Sequence, residues 1–224
     1  MTGVALLLLS ASVGGQDERR TQTPVRLCPV DEALADESLV QFREALRSAA
    51  QAYDVGTLRP LVAEDAVGIT VGDRDDPVVR FETFTRHDAS GEPSGYYWSD
   101  FVGILLDGWV MESGGTFCAP YYTCRPPPGG WQRDEILVPG ADLPAYARPE
   151  PDSPEVARLS CDVLRAASGD DTAGIRPDSG WRAVHLPPGG VGFIVSYRVM
   201  SPGLMVRVGK RNGVWKVIEL RSYR

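Results

Sequence analysis

Three prolines followed by two glycines, at positions 126 to 130, interrupt this chain more strongly than any other segment. Because proline cannot continue a helix and glycine favours turns, we expect a domain boundary here. Glycine (24) and proline (18) together supply 42 of the 224 residues, a share that favours short strands and turns over long helices. The hydrophobic share of 43% is nevertheless that of a globular protein with a buried core.

Helical spacing of apolar residues dominates the chain before this boundary. One apolar face recurs at intervals of three and four residues, through Leu39, Phe42, Leu46, Ala49 and Tyr53. It predicts a helix over residues 36–53 that the side chain of Asp36 can cap. Further helices are predicted over residues 57–62, 77–86 and 96–106, with a strand at 67–71. We therefore expect residues 36–130 to form a mainly helical domain.

Short apolar runs separated by turn residues follow the boundary. They predict strands over residues 136–138, 143–147, 156–166, 181–186 and 191–197. This regular spacing is typical of a small β-barrel. Two further strands flank Asn212-Gly213, a pair that suits a hairpin turn. The predicted fold class is α+β, with a barrel and an added C-terminal hairpin in residues 131–224.

The N-terminus resembles an export signal. The apolar stretch from Val4 to Val13 is too short to span roughly 30 Å of hydrocarbon, and small residues follow it up to a cleavage point before Gln16. A buried N-terminal strand or helix is the alternative. We expect residues 1–15 to be a signal peptide, residues 16–35 to be a flexible leader, and the protein to be periplasmic or secreted with no integral membrane segment.

The chain has four cysteines, and export from the cytosol would allow them to form disulfide bonds. Cys118 and Cys124 bracket a segment that can turn, so we expect them to pair. Cys161 alternates with apolar neighbours as in a strand, and it is expected to be buried and reduced. The pairing of Cys28 stays open. No Cys-x-x-Cys motif occurs, and neither a metal site nor a cofactor is predicted.

Three segments after residue 140 resemble parts of the bacterial SH3-like domain. Gly180-Trp181-Arg182-Ala183-Val184 resembles its Gly-Trp-x-x-Val strand, and residues 190–194 resemble a second characteristic strand. The string from Ala141 to Leu159 looks like the opening of that domain. Residues 115–121, 159–163 and 212–216 also resemble segments of a group of exported bacterial proteins that carry this domain behind a helical region. The resemblance implies a small barrel and non-catalytic binding, often of cell-wall peptides.

Aromatic residues in the predicted barrel are the candidate ligand contacts, because such barrels bind extended peptides in aromatic grooves. The candidates are Tyr197, Trp131, Trp181 and Phe193. For Trp181 and Phe193 the alternative is that they fill the barrel core. The predicted function is an exported, non-catalytic binding module for cell-wall peptide, glycopeptide or an envelope protein. Its oligomeric state stays open.

The two parts of the chain differ in net charge. Residues 1–154 carry 12 basic and 24 acidic side chains, whereas residues 155–224 carry 11 and 6, which together give the net charge of −7. The basic residues from Arg198 to Arg224 either meet an anionic envelope polymer or dock on the acidic N-terminal region. The overall negative charge and the export signal disfavour nucleic acid as a partner.

Two other functions remain as alternatives. The N-terminal order of a helix, Asp54, a second helix and a strand also resembles the start of the fold of nuclear transport factor 2 relatives. That fold encloses a small-molecule pocket. That pocket would be lined by Phe42, Tyr53, Phe84 and Trp98. A cell-wall peptidase with Cys118 as nucleophile and His185 as base is the second alternative. No catalytic residue is otherwise indicated, so we do not expect an enzyme.

Overall fold

A computed structural model describes residues 25–52, 54–68, 95–168, 180–187 and 189–222. The four α-helices in these residues are α1 (Glu37–Gln51), α2 (Val55–Leu58), α3 (Gly95–Leu106) and α4 (Tyr121–Cys124). The first six strands are β1 (Val25–Arg26), β2 (Val62–Gly68), β3 (Val110–Met111), β4 (Phe117–Ala119), β5 (Glu135–Val138) and β6 (Leu143–Tyr146). The remaining six are β7 (Glu155–Leu159), β8 (Asp162–Arg165), β9 (Trp181–His185), β10 (Val191–Val195), β11 (Leu204–Arg211) and β12 (Val214–Ser222).

The predicted fold class is wrong, because the described residues form mostly β-structure. Their twelve strands make three open sheets, and two of the four helices are only four residues long. The region before residue 130 is not mainly helical, since it contributes β2, β3 and β4 to one of these sheets. The helix predicted over residues 77–86 lies outside the described residues.

The first sheet has five strands in the order β2-β12-β11-β4-β3. The β11–β12 hairpin turns at Asn212 and Gly213, both with positive φ, as their sequence predicts. This hairpin is not an addition to a barrel. It forms the middle of the sheet, because β2 pairs with β12 in parallel and β4 pairs with β11 antiparallel.

Helices α1 and α3 pack on this sheet, and the helix predicted over residues 36–53 is confirmed. Asp36 caps α1 by accepting a hydrogen bond from the Leu39 amide at 3.1 Å. The buried side chains of α1 and α3 share one core with those of the first sheet. Its largest members are Phe42, Phe101, Trp109, Phe117 and Trp215.

The second and third sheets replace the predicted barrel. The second has the order β1-β8-β5 and the third the order β7-β6-β10-β9, and neither closes on itself. Side chains from both sheets share a second core, formed by Ile136, Val138, Ala145, Leu159, Leu164, Val184, Leu186 and Ile194. The strand predicted over residues 156–166 is split into β7 and β8, because Cys161 adopts a positive φ of 59° between them.

Residues 25–35, expected to belong to a flexible leader, are held at fixed positions. Strand β1 pairs with β8, and Cys28 forms a disulfide with Cys161. Further along, the Glu32 amide donates to the Trp109 carbonyl at 2.7 Å. We call residues 27–31 the strap, since they run from the second sheet to the end of α3. Residues 16–24 lie outside the described residues.

A candidate ligand-binding cleft between the sheets

A cleft of about 490 Å³ opens where the strap, the end of α3 and the loops after β5 and β10 meet. We call it the inter-sheet cleft. Its lining residues are Pro29, Val30, Asp31, Leu106, Asp107, Gly108, Tyr121, Pro139, Gly140, Leu143, Tyr197, Arg198 and Met200. Clefts of roughly 300 to 1,000 Å³ with mixed apolar and polar linings are typical of ligand sites.

The floor of the cleft rests on a cluster of buried side chains between the first and second sheets. Val110, Cys118, Tyr121, Tyr122, Leu137 and Met205 form it, and we call it the junction cluster. Two contacts fix α4 in the cluster: the Cys118–Cys124 disulfide and an edge-to-face contact between Tyr122 and Trp131 at 6.5 Å. The Tyr121 hydroxyl also donates to the Leu27 carbonyl at 3.0 Å, which ties α4 to the strap.

Gly108 allows the strap to pass close to the end of α3. Its φ is +76°, and a Cβ at this position would lie 2.2 Å from the Val30 carbonyl oxygen. Only glycine satisfies both conditions, since other residues rarely adopt this φ and would collide with the strap. Glycine is also common just after the end of a helix, and Gly108 follows the end of α3 by two residues, so this position has a second reason for a glycine.

Asp107 is a half-buried acid that lines the cleft. Burial raises its pKa to about 6, although a hydrogen bond donated by the Tyr122 hydroxyl at 3.5 Å acts in the opposite direction. Burial also raises the pKa of Tyr121, with a smaller contribution from the negative charge of Asp107. The cleft therefore contains a carboxyl group that changes its charge near neutral pH.

Tyr197 stands at the mouth of the cleft with 77% of its surface exposed. It lies in a single 3₁₀ turn, Ser196–Arg198, that directly follows β10. The Ser196 amide donates to the Gly180 carbonyl at 2.8 Å, which anchors this turn to the start of β9. The Arg198 guanidinium lies 5.2 Å from the centre of the Tyr197 ring. An exposed aromatic ring is thus held on a fixed turn beside a cation.

Tyr197 is the only one of the four predicted ligand residues that lines the inter-sheet cleft. Trp131 is half-buried against the junction cluster, where its indole Nε1 donates to the Tyr122 carbonyl at 3.0 Å. It packs beside the floor of the cleft and does not line it. The structure does not bring the four residues together.

Trp181 and Phe193 lie on the face of the third sheet that points away from the second core. Ile194, next to Phe193, is buried in that core, so Phe193 points to the opposite side. Both aromatic residues are half-buried beside Tyr146: Trp181 meets its ring edge-to-face at 5.6 Å, and Phe193 is its partner in the strand register. Neither residue fills the core, which was the alternative for them.

Sequence reasoning missed Asp107 and Leu106 as cleft residues, and it considered Arg198 only as one of the basic residues near the end of the chain. One signal was present for Asp107, because an acidic residue directly after a predicted helix is unfavourable beside the partial negative charge of the helix C-terminus. Leu106 gave no signal. It reaches the cleft only through the packing of the sheets.

The cysteine predictions are half correct. Cys118 pairs with Cys124, as their spacing predicts. Cys161 is not reduced but bonded to Cys28, 133 positions away, because it lies in the turn between β7 and β8 rather than within a strand. Since Cys118 is bonded and fully buried, it is not the free nucleophile that the peptidase alternative requires.

The small-molecule pocket of the other alternative falls partly outside the described residues. Phe42 is buried in the core beneath the first sheet and Trp98 belongs to α3, whereas Tyr53 and Phe84 lie outside the described residues. Among the described residues, no group of three or more His, Cys, Asp or Glu side chains is placed to hold a metal ion. No helix in that part of the chain has the length and apolar character needed to cross a membrane.

The basic residues near the end of the chain dock on acidic residues of the N-terminal region, the second of the two alternatives. Three ion pairs make this connection: Arg207 with Glu112, Lys210 with Asp36 and Arg211 with Asp65. Arg224 lies outside the described residues. Arg198 instead lines the inter-sheet cleft.

Comparisons with protein-family models, curated proteins and solved structures give no match to this chain.

Proposed function

We propose that the protein is an exported, non-catalytic binding protein that holds a peptide or glycopeptide of the cell envelope in the inter-sheet cleft. The observation that carries this proposal is the exposed Tyr197 ring on a fixed turn at the mouth of a 490 Å³ cleft. Aromatic rings that border a groove are a common means of holding extended peptides.

Two disulfides support the export part of the proposal. Structural disulfides form and persist in oxidising compartments and are rare in the cytosol. Here one joins the strap to the turn after β7, and the other fixes α4. Both hold the elements that surround the cleft. The cleft would therefore have its described shape only where these bonds can form.

The test is co-sedimentation of the oxidised protein with purified cell wall. Truncating an interface tyrosine at a binding hot spot costs about 1.4 kcal/mol or more, so Tyr197→Ala should weaken retention about tenfold. Tyr197→Phe keeps the ring and should retain most of the binding. Leu34→Ala is the matched control, because Leu34 is a large apolar residue with 68% exposure that does not line the cleft.

Equal retention of the wild-type protein and Tyr197→Ala would refute the role of the cleft. The two proteins should melt within a few degrees of each other, because Tyr197 contributes little buried surface. If wall from several bacteria fails to retain the wild-type protein while a defined envelope protein does so through Tyr197, the ligand is a protein and the wall part of the proposal is wrong.

A further inference from the structure

Asp107 is an acid without a compensating charge in the part of the chain that the structure describes. Its one hydrogen bond there comes from the Tyr122 hydroxyl at 3.5 Å, which is long for such a bond. Nearby acids differ in this respect, since Asp31 pairs with Arg43 at 2.9 Å and Glu32 pairs with Arg125 at 2.8 Å. Among the residues that the structure describes, Asp107 is therefore the one half-buried carboxyl group of the inter-sheet cleft that no cation neutralises.

The end of α3 adds to this negative charge. The last carbonyl groups of a helix carry a partial negative charge, which favours a cation and disfavours an anion nearby. Helix α3 has twelve residues and ends at Leu106, directly before Asp107. The carboxylate and the helix end thus attract a positive group to the same side of the cleft.

The charged and titratable side chains around Asp107 do not supply that positive group. Helix α4 presents Tyr121 and Tyr122, and the strap presents Asp31, whose charge Arg43 already balances. After β10 comes Arg198, the one basic side chain lining the cleft among the described residues. Its guanidinium lies over the Tyr197 ring rather than in an ion pair with Asp107.

We propose that the cleft recognises its ligand through a cation, the ammonium group of a lysine or diamino-acid side chain in an envelope peptide, which pairs with the Asp107 carboxylate. This inference rests on the proposed function and names the chemical class of its ligand. The aliphatic part of such a side chain has apolar partners in the exposed Leu106 and the half-buried Leu143. Tyr197 then contacts the peptide at the mouth of the cleft.

Binding of an ammonium group makes the affinity depend on pH. Because the pKa of Asp107 is raised to about 6, the carboxyl group is ionised at pH 7.5 and mostly protonated at pH 5.0. Only the ionised form pairs with a cation. The affinity should therefore fall about tenfold between these pH values, as expected for one group with this pKa.

The test uses the oxidised full chain and two short peptides titrated by NMR. One is Ala-Lys-Ala with a blocked N-terminus and C-terminus, and the other carries an Nε-acetyl group on the same lysine and has no charge. The variants are Asp107→Asn, which keeps an acceptor for Tyr122, and Asp152→Asn as a control. Asp152 is an exposed acid that does not line the cleft.

We expect the charged peptide to bind at pH 7.5 at least about tenfold more tightly than the acetylated peptide. That preference should disappear in Asp107→Asn and at pH 5.0, and it should persist in Asp152→Asn. Equal binding of the two peptides, a preference that survives in Asp107→Asn, or no binding of either peptide would each overturn the inference. The proposed function fails separately, when Tyr197→Ala leaves wall retention unchanged.

Discussion

Trp215 on β12 links the centre of the first sheet to the elements around it. Its ring meets Phe117 of β4 edge-to-face at 5.8 Å, and its Nε1 donates to the Ser38 hydroxyl of α1 at 2.9 Å. The Lys210 ammonium lies 4.7 Å from the ring centre. Only 6% of Trp215 is exposed. Replacing it with alanine removes all of these contacts and leaves a cavity beneath the sheet.

The size of the effect follows from these contacts. An aromatic side chain buries about 150 to 250 Å², and about 25 cal/mol per Å² gives roughly 4 to 6 kcal/mol. Measured losses for such truncations are about 3 to 5 kcal/mol. Ser38 is exposed, so water replaces its lost partner and that hydrogen bond adds about 1 kcal/mol at most. We expect Trp215→Ala to lower the free energy of unfolding by about 4 kcal/mol.

The measurement is urea denaturation of the oxidised full chain followed by far-UV circular dichroism. Trp215→Phe keeps most of the ring and loses the hydrogen bond, so about 1 to 2 kcal/mol should be lost. Val214→Ala is the control, because Val214 is the preceding residue and 58% of it is exposed. Its loss should stay within about 0.5 kcal/mol. A loss below about 1 kcal/mol for Trp215→Ala would refute the place of β12 in the core.

Two further predictions concern the disulfides and Asp107. Peptide mapping without reduction should link Cys28 to Cys161 and Cys118 to Cys124, and a free Cys161 thiol would contradict the structure. Replacing Cys28 and Cys161 with serine should cost up to about 5 kcal/mol, because that bond closes a loop across 133 positions. The pKa of Asp107 rises from about 3.8 to about 6 on folding, so its charge destabilises the fold above pH 6 and has no effect well below pH 3.8. After allowance for the partial exposure of Asp107, the substitution Asp107→Asn should therefore raise the free energy of unfolding by about 1 to 2 kcal/mol at pH 7.5 and change it little at pH 3. Equal changes at both pH values would contradict this prediction.

Local patterns in the sequence predicted local structure well. The apolar face of α1 and the capping Asp36 lie within one short segment, and Asn212-Gly213 sets its own turn. The Cys118–Cys124 bond also depends on residues close together in the chain. In each of these cases the residues that determine the structure are neighbours in sequence, so spacing alone identifies them.

Pairing between distant segments could not be predicted in this way. Strand β2 pairs with β12 across about 150 positions, and no residue in either strand specifies that partner. The error at Cys161 has a similar cause. The run over residues 156–166 reads as one strand, because neither Gly nor Pro marks the turn at Ser160-Cys161.

The lining of the inter-sheet cleft also depends on contacts between distant segments. Tyr197 was predicted as a ligand contact because it is an aromatic residue of the expected SH3-like barrel, and its exposure is known only from the structure. The inter-sheet cleft requires five segments, at residues 29–31, 106–108, 121, 139–143 and 197–200, which only the folded chain brings together. Asp107 acquires its raised pKa from burial in that assembly. Its chemistry is therefore a property of the tertiary structure.

The position of β12 along the chain determines when the first sheet can be completed. A chain that is synthesised from its N-terminus presents α1 and β2 early, yet β12, the strand that pairs with β2, comes after residues 135–195. Those residues contain all strands of the second and third sheets except β1, so they are complete before β12 is made. Until then the apolar faces of α1 and β2 lack the strand that covers them, and such exposed apolar surface favours aggregation during folding.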